Sequence, residues 1–247
     1  MKEASKRILD VLLSFLGLAV ASPVIVPILI CVWLQDFHSP FYVSYRVGRG
    51  GRPFKIVKIR SMVADAEKAG IDSTAVDDKR ITLVGRFIRH FKLDEMTQLW
   101  NVLKGDMSLV GPRPNVARGV ALFTDAEKSL LDVRPGVTDF ASIVFADEGE
   151  ILKGHPDPDD GYDKLIRPWK SRLGLLYIKR QSAFLDLRLI LLTVLSIFSR
   201  RRALQGVQKI LKGLGAEDQV VRTAARTAPL KPIPPPGAVN RACPSAT

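Results

Sequence analysis

The sequence predicts an α+β protein, mostly helical, with one short β-hairpin behind an apolar N-terminal segment. Three observations carry this. Residues 8–34 are almost continuously apolar, broken only by Asp10, Ser14 and Ser22, and a run of that length can cross a bilayer once. Two short apolar alternations flank the turn Gly48-Arg49-Gly50-Gly51, a hairpin pattern. Further along, apolar residues recur at helical spacing, most clearly Leu93, Met96, Trp100 and Leu103.

A chain of 247 residues holds one medium domain plus appendages. Its formal net charge of +12 calls for an anionic partner: phospholipid, nucleotide diphosphate or nucleic acid. No basic run is interleaved with aromatics as a single-strand binder requires, so no nucleic-acid partner is expected. Cys31 and Cys243 define neither a disulfide framework nor a metal site. His38, His90 and His155 are scattered without metal-ligand spacing.

Within the first apolar run, Ser22-Pro23 at the centre and Pro27 after it predict a break or kink. Lys6 and Arg7 precede the run, and Arg46, Arg49, Arg52, Lys55, Lys58 and Arg60 follow it. The positive-inside tendency therefore puts both ends on the cytoplasmic side. A bent helix that enters and leaves by one leaflet satisfies both observations. A straight single-pass anchor is the alternative. Ala19-Val20-Ala21 resembles a signal cleavage site, but the apolar run continues well past it.

Residues 39–62 form the expected hairpin. Lys58, Arg60 and Ser61 leave it as an anion-friendly set at a strand end, or as a solvated basic face. Residues 63–79 read as helix and then loop. Asp65, Glu67, Asp72, Asp77 and Asp78 are scattered there at spacings that fit no calcium loop, so a solvated surface is expected. Ile81 to Phe91 is a basic amphipathic stretch carrying Arg86 and Arg89.

The core stretch runs from His90 to Pro114. Its first half predicts a helix from Leu93, with Asp94, Gln98 and Asn101 on one face and a stop at Lys104-Gly105. Asp94 then falls in the first turn, where free N–H groups and the helix dipole favour an anion. An Asp there is commonly just a cap. The second half ends in Gly111-Pro112-Arg113-Pro114, where two fixed proline φ angles present Arg113 in an extended backbone. An acidic pair, Asp94-Glu95, near a stiffly offered guanidinium suits phosphoryl chemistry.

Asp125 to Leu131 reads as helix, and Arg134-Pro135-Gly136-Val137-Thr138 as a turn into a strand. Tyr162 to Ser182 reads as a polar, basic helix. The apolar part of Phe184 to Phe198 is too short to span a bilayer; it is either core or an interfacial helix with Arg200, Arg201 and Arg202 on headgroups. Val207 to Leu214 permits one more short helix. The proline-rich Leu230 to Pro236 and the tail beyond are expected to be disordered.

The stretch from Leu93-Asp94-Glu95 through Leu99-Trp100-Asn101-Val102-Leu103-Lys104-Gly105-Asp106-Met107-Ser108-Leu109-Val110 to Gly111-Pro112-Arg113-Pro114 resembles the core of the bacterial sugar transferase family, the monotopic phosphoglycosyl transferases. Lys58-Ile59-Arg60-Ser61-Met62 resembles that family's Lys-Phe-Arg-Ser-Met motif. Ser22-Pro23 resembles the centre of its re-entrant helix, and Lys6-Arg7 with Asp10 the helix entrance. The chain departs from the pattern at His90, Phe91 and Thr97, where relatives often carry Arg, Thr and Pro.

The resemblance implies a small, catalytic-core-only enzyme. Its re-entrant membrane helix would cover residues 1–38, a membrane-associated catalytic domain with interfacial helices 39–202, and a disordered tail 203–247. It implies transfer of a phospho-sugar from a UDP-sugar to polyprenyl phosphate at the cytoplasmic face of a bacterial inner membrane, with UMP released. Asp94 would be the covalent nucleophile and a ligand of Mg²⁺, with Glu95 assisting. Lys58, Arg60, Ser61, Arg89 and Arg113 would hold phosphates. A homodimer is compatible with this reading. Two alternatives remain: a membrane-anchored basic binding protein, and a transferase that passes the sugar without its phosphate.

Overall fold

The computed structural model describes residues 2–66 and 78–238. In chain order the elements are α1 (Lys2–Leu34), β1 (Phe41–Val47), β2 (Pro53–Ile59), α2 (Leu83–His90), α3 (Gln98–Lys104), β3 (Ser108–Val110), α4 (Ala117–Ala121), α5 (Asp125–Lys128), β4 (Gly136–Thr138), α6 (Phe140–Val144), α7 (Glu148–Ile151), α8 (Pro158–Gly161), α9 (Arg167–Arg180), α10 (Ala183–Phe198), α11 (Arg200–Gly213) and α12 (Asp218–Ala224). The fold is mixed and mainly helical, as expected. The hairpin pairs β1 with β2 antiparallel, from Phe41 opposite Ile59 to Val47 opposite Pro53. A second two-stranded sheet pairs β3 with β4 in parallel.

The parallel pair exists because two glycines meet. Gly111 N–H donates to the Thr138 carbonyl and Gly136 N–H to the Pro112 carbonyl, each at 3.0 Å. A Cβ on Gly136 would lie 2.1 Å from the Gly111 nitrogen, so no larger residue fits. This crossing fixes the backbone on which Arg113 stands.

The apolar run forms one helix, α1, long and apolar enough by length and composition to cross a membrane. Of the break or kink expected at Ser22-Pro23, the break is absent: the helix runs through Pro23 and Pro27. Pro23 lacks the N–H that would bond the Ala19 carbonyl, and the Ser22 hydroxyl donates to that same carbonyl at 2.8 Å. The hydroxyl gives that carbonyl a partner in place of the lost bond. One face of α1 lies along the domain: Asp10, Ser14, Ile25 and Val32 are buried, while Leu12, Phe15, Val20, Val24 and Ile30 are exposed.

Both ends of α1 are tied to the same domain. At the N-terminal end the Lys6 ammonium donates to Asp186 of α10 at 2.6 Å, and the Arg7 guanidinium donates to the Val102 and Leu103 carbonyls at the end of α3. Asp10 accepts from the Ser108 hydroxyl at 2.8 Å and from the Leu109 N–H at 3.0 Å. At the C-terminal end Ile25 and Val32 join Ile59 and Ile88 in a small core that also holds Leu93 and Met96. Each such buried aliphatic contributes about 1.5–3 kcal/mol of transfer free energy.

The larger core gathers α3, β3, α6, α9, α10, α11 and α12 around Phe140, Ile143, Leu173, Tyr177 and Leu211. The helix expected over residues 162–182 is present as a π-type turn, Tyr162–Ile166, followed by α9, but it buries Trp169, Leu173 and Tyr177 and is a core element. The disorder expected over residues 203–247 is likewise corrected for residues 203–238, and residues 239–247 lie outside the described residues. Ala203, Leu204, Val207, Ile210, Leu211, Val220, Val221 and Ala224 are buried, and Leu230 and Ile233 pack against them. The Arg172 guanidinium donates to the Pro234 carbonyl at 3.0 Å, which holds the proline-rich segment down. Of the scattered acidic residues, Glu67, Asp72 and Asp77 lie outside the described residues; Asp78 pairs with Arg80 at 2.6 Å.

Candidate active site

Three elements converge on the acidic pair: the end of β2, the turn before α3, and the loop after β3. The α-helix expected from Leu93 begins only at Gln98. Ahead of it Leu93–Glu95 forms one 3-10 turn, entered through Lys92 in the left-handed region at φ 54°. The Thr97 hydroxyl tightens this segment. It lies 2.9 Å from the Val57 carbonyl of β2 and 3.4 Å from the Asp94 carbonyl, and such local hydroxyl bonds compete with the helical ladder. Asn101 adds two ties to β2: its Nδ2 donates to the Lys55 carbonyl at 2.7 Å and its Oδ1 accepts from Val57 N–H at 3.1 Å. At the far end Gly105 stops the helix at φ 95°, as expected.

Asp94 and Glu95 are adjacent but held differently. The Arg113 guanidinium donates to Glu95 Oε1, and the Lys58 ammonium lies 3.8 Å from the same oxygen. Burial pushes the Glu95 carboxyl up, but the charges of Arg113 and Lys58 overcome it and hold it near 2. Among the described residues the Asp94 carboxylate has no hydrogen-bond or ion-pair partner. Burial, and then the Glu95 charge, push its pKa up, against the longer-range pull of Lys58, Arg89 and Arg113. Glu95 is therefore a fixed anion neutralised by protein, and Asp94 an available one. Burial lowers the pKa of both Lys58 and Lys92.

The structure thus brings together Asp94, Glu95, Lys58 and Arg113, with Arg89 close enough to act on Asp94 through space. It does not bring Arg60 or Ser61 into this group. Arg60 is buried beneath the C-terminal end of α1. It donates to both Asp36 oxygens at 2.5 and 2.6 Å, to the Ser39 carbonyl at 2.8 Å and to the Val32 carbonyl at 3.3 Å. Ser61 is buried, and its carbonyl accepts from Thr82 N–H at 3.1 Å under Gly85. Ser22 and Pro23 lie within α1.

Sequence reasoning missed the opposite wall. Lys92, half-buried, reaches the Ser142 carbonyl at 3.5 Å. Asp139 caps α6 through the Ser142 N–H and hydroxyl, at 2.6 and 2.7 Å, and is buried. The Lys170 ammonium pairs with Glu148 and stands 4.9 Å from the Tyr162 ring centroid. The charges of Glu148 and Asp94 both act on Arg113. The signal available was the cap pattern Asp139-Phe140-Ala141-Ser142, whose link to Arg113 is purely tertiary.

The donor set is compatible with a hard divalent cation. Among the described residues no group of three or more His, Cys, Asp or Glu side chains could hold a metal, and Glu95 is already committed to cations. One free carboxylate, Asp94, would suffice to hold a hard divalent cation whose shell is completed by phosphate oxygens and water.

The family model described as Bacterial sugar transferase matches residues 1–200. The chain is 33% identical over 198 residues to the UDP-N-acetylgalactosamine-undecaprenyl-phosphate N-acetylgalactosaminephosphotransferase of Aeromonas hydrophila, covering 78% of this chain and 44% of that protein. It is 40% identical over 151 residues to the undecaprenyl-phosphate galactose phosphotransferase of Salmonella typhimurium, covering 54% and 31%. It is 33% identical over 189 residues to the uncharacterized sugar transferase EpsL of Bacillus subtilis (strain 168), covering 76% and 85%. The chain therefore spans less than half the length of the first two of these relatives. With the matched region running from α1 through the Asp94 turn and Arg113 to the start of α11, the chain belongs to the bacterial sugar transferase family.

Proposed function

We propose that this protein transfers a sugar-1-phosphate from a UDP-sugar to undecaprenyl phosphate, giving undecaprenyl-diphosphate-sugar and UMP, as the first membrane step of assembling a surface glycan. The observation that carries the reading is the Asp94 carboxylate, without a hydrogen-bond or ion-pair partner among the described residues, set among Lys58, Arg89 and Arg113 beside a Glu95 that Lys58 and Arg113 already neutralise. A binding module has no use for a free carboxylate among cations that would attract its ligand; a nucleophile does.

In the first half-reaction an Asp94 oxygen attacks the β-phosphorus of the UDP-sugar. The bond from that phosphorus to the bridging oxygen breaks, and UMP leaves with the electron pair. In the second, an oxygen of undecaprenyl phosphate attacks the same phosphorus and the Asp94 carboxylate is released. Arg113, Lys58 and Arg89 offset the charge of the diphosphate as it approaches. Mg²⁺, held by Asp94 and substrate oxygens, would add charge neutralisation and polarise the phosphoryl group. The names of the Aeromonas and Salmonella relatives, both undecaprenyl-phosphate transferases, support the acceptor.

The membrane reading rests on α1. A 33-residue helix is about 50 Å long, more than a bilayer core is thick. Yet both its ends make polar ties to one domain, through Lys6 with Asp186 and through Asp36 with Arg60. Both ends then lie on one side of the membrane, the cytoplasmic side by the charge rule, with the exposed apolar face in lipid. The exposed Phe184, Leu187, Leu191, Val194 and Phe198 of α10 suit the same bilayer surface, next to Arg200 to Arg202.

The test is product identity. With Mg²⁺, undecaprenyl phosphate and a panel of UDP-N-acetylgalactosamine, UDP-galactose and UDP-glucose, the expected product from at least one donor is UMP. Release of UDP assigns transfer of the sugar alone. No release across a broad sugar panel assigns a binding protein.

A further inference from the structure

Gln98 is the one polar residue of the 97–101 turn without a structural task. Thr97 and Asn101 each bond the backbone of β2. Gln98 is only 1% exposed, and its Nε2 is buried without a hydrogen-bond partner among the described residues. A buried amide left unpaired destabilises the resting protein, so its presence calls for a partner that arrives later. The position says which partner. Met96 and Thr97 have helical backbone angles, so Gln98 stands one turn beyond the acidic pair, four residues after Asp94 and three after Glu95, on their side of the segment.

We propose that Gln98 is a catalytic residue whose carboxamide N–H donates a hydrogen bond to a non-bridging phosphoryl oxygen while the phosphorus is bonded to Asp94. This deepens the proposed function and rests on it. The bond transfers no proton: Gln98 is a neutral donor, and the phosphoryl oxygen is the acceptor that the reaction itself delivers one turn from Asp94. The three nearby cations stabilise charge over a distance; a short neutral donor fixed on α3 adds direction, favouring the phosphorus in line with the Asp94 oxygen.

The experiment uses the full-length protein in detergent with Mg²⁺, without lipid acceptor. It follows the phospho-sugar adduct by rapid-quench mass measurement after mixing with the UDP-sugar that yields UMP. For Gln98→Met, a chain of similar length without the donor, the expected result is adduct formation about 100-fold slower, an unchanged pH profile and a Tm at or above that of the wild type. Gln98→Asn, which keeps the amide but shortens it, is expected to fall between the two. Adduct formation at the wild-type rate in Gln98→Met overturns the inference, and so assigns a buried water as the amide's partner. A lowered Tm overturns it in favour of a protein partner. An upward shift of the acid limb overturns it in favour of a bond to the resting Asp94 carboxylate. If the wild-type protein itself forms no adduct, it is the covalent reading that fails.

Discussion

Arg60 and Arg113 make an instructive pair. Both sit in short basic motifs that carry the family resemblance, and both suggest phosphate ligands from sequence. In the structure Arg113 meets one carboxylate and keeps its side chain 35% exposed, whereas Arg60 meets a carboxylate and two or more carbonyls and keeps 10%. Arg113 retains donors for a substrate; those of Arg60 are committed to the protein. A cation in a motif is available only in proportion to the acceptors its own fold leaves unfilled. The two arginines thus divide the labour, one facing the chemistry and the other fastening the hairpin to the end of α1.

The comparison can be broken most strongly at the group Arg113 serves. Asp94→Asn is expected to lower UMP release by about 10⁴-fold or more, since no other free carboxylate flanks the cations among the described residues. Arg113→Ala is expected to cost about 10²–10³-fold in kcat, measured by the same release assay. Arg60→Met is expected to cost less than about 3-fold in kcat but to lower Tm by ~5 °C in a thermal melt, because Asp36 loses its partner under α1. If Arg60→Met matched Arg113→Ala in kcat, with Tm intact, the division would be wrong.

A finer test uses pH. The Asp94 pKa is raised by burial and then by the Glu95 charge. Activity that needs ionised Asp94 is therefore present above that raised value and lost as pH falls through it, earlier than for an ordinary aspartate. Removing the neighbouring charge in Glu95→Gln lowers the Asp94 pKa, so the acid limb of the adduct-formation profile moves to lower pH. A limb that stays put or moves up shows that Glu95 does not act on Asp94 in this way. Asp36 has the opposite sign: its carboxyl is held near 2 by the Arg60 hydrogen bonds. Its contribution to stability is present above the unfolded aspartate pKa and fades as pH falls toward 2.

What the sequence made legible was local. The hairpin follows from alternation around Gly48 to Gly51, and the helix stop from Gly105. The meeting of Asp94-Glu95 with Arg113 was legible only as two motifs near each other; the glycine crossing at Gly111 and Gly136 makes it a contact. Arg60 was misplaced because its acceptors come from Asp36, Ser39 and Val32, more than twenty residues away, where no spacing rule reaches. The C-terminal helices carried a signal that basic, proline-rich composition outweighed. Leu204, Val207 and Leu211 lie at i, i+3 and i+7, an apolar stripe that needs a core to cover it. At Pro23 the Ser22 hydroxyl donates to the Ala19 carbonyl that proline leaves free, a local bond that the apolar pattern of the run did not reveal.

The covalent role of Asp94 is tested most directly by one measurement: the mass of the full-length protein after incubation with Mg²⁺ and the UDP-sugar that yields UMP, with no polyprenyl phosphate present. The predicted result is a gain of one phospho-sugar, located on the peptide that contains Asp94, absent in Asp94→Asn and lost again when undecaprenyl phosphate is added. Lipid product and UMP formed by Asp94→Asn at the wild-type rate, or an adduct on another residue, would contradict it.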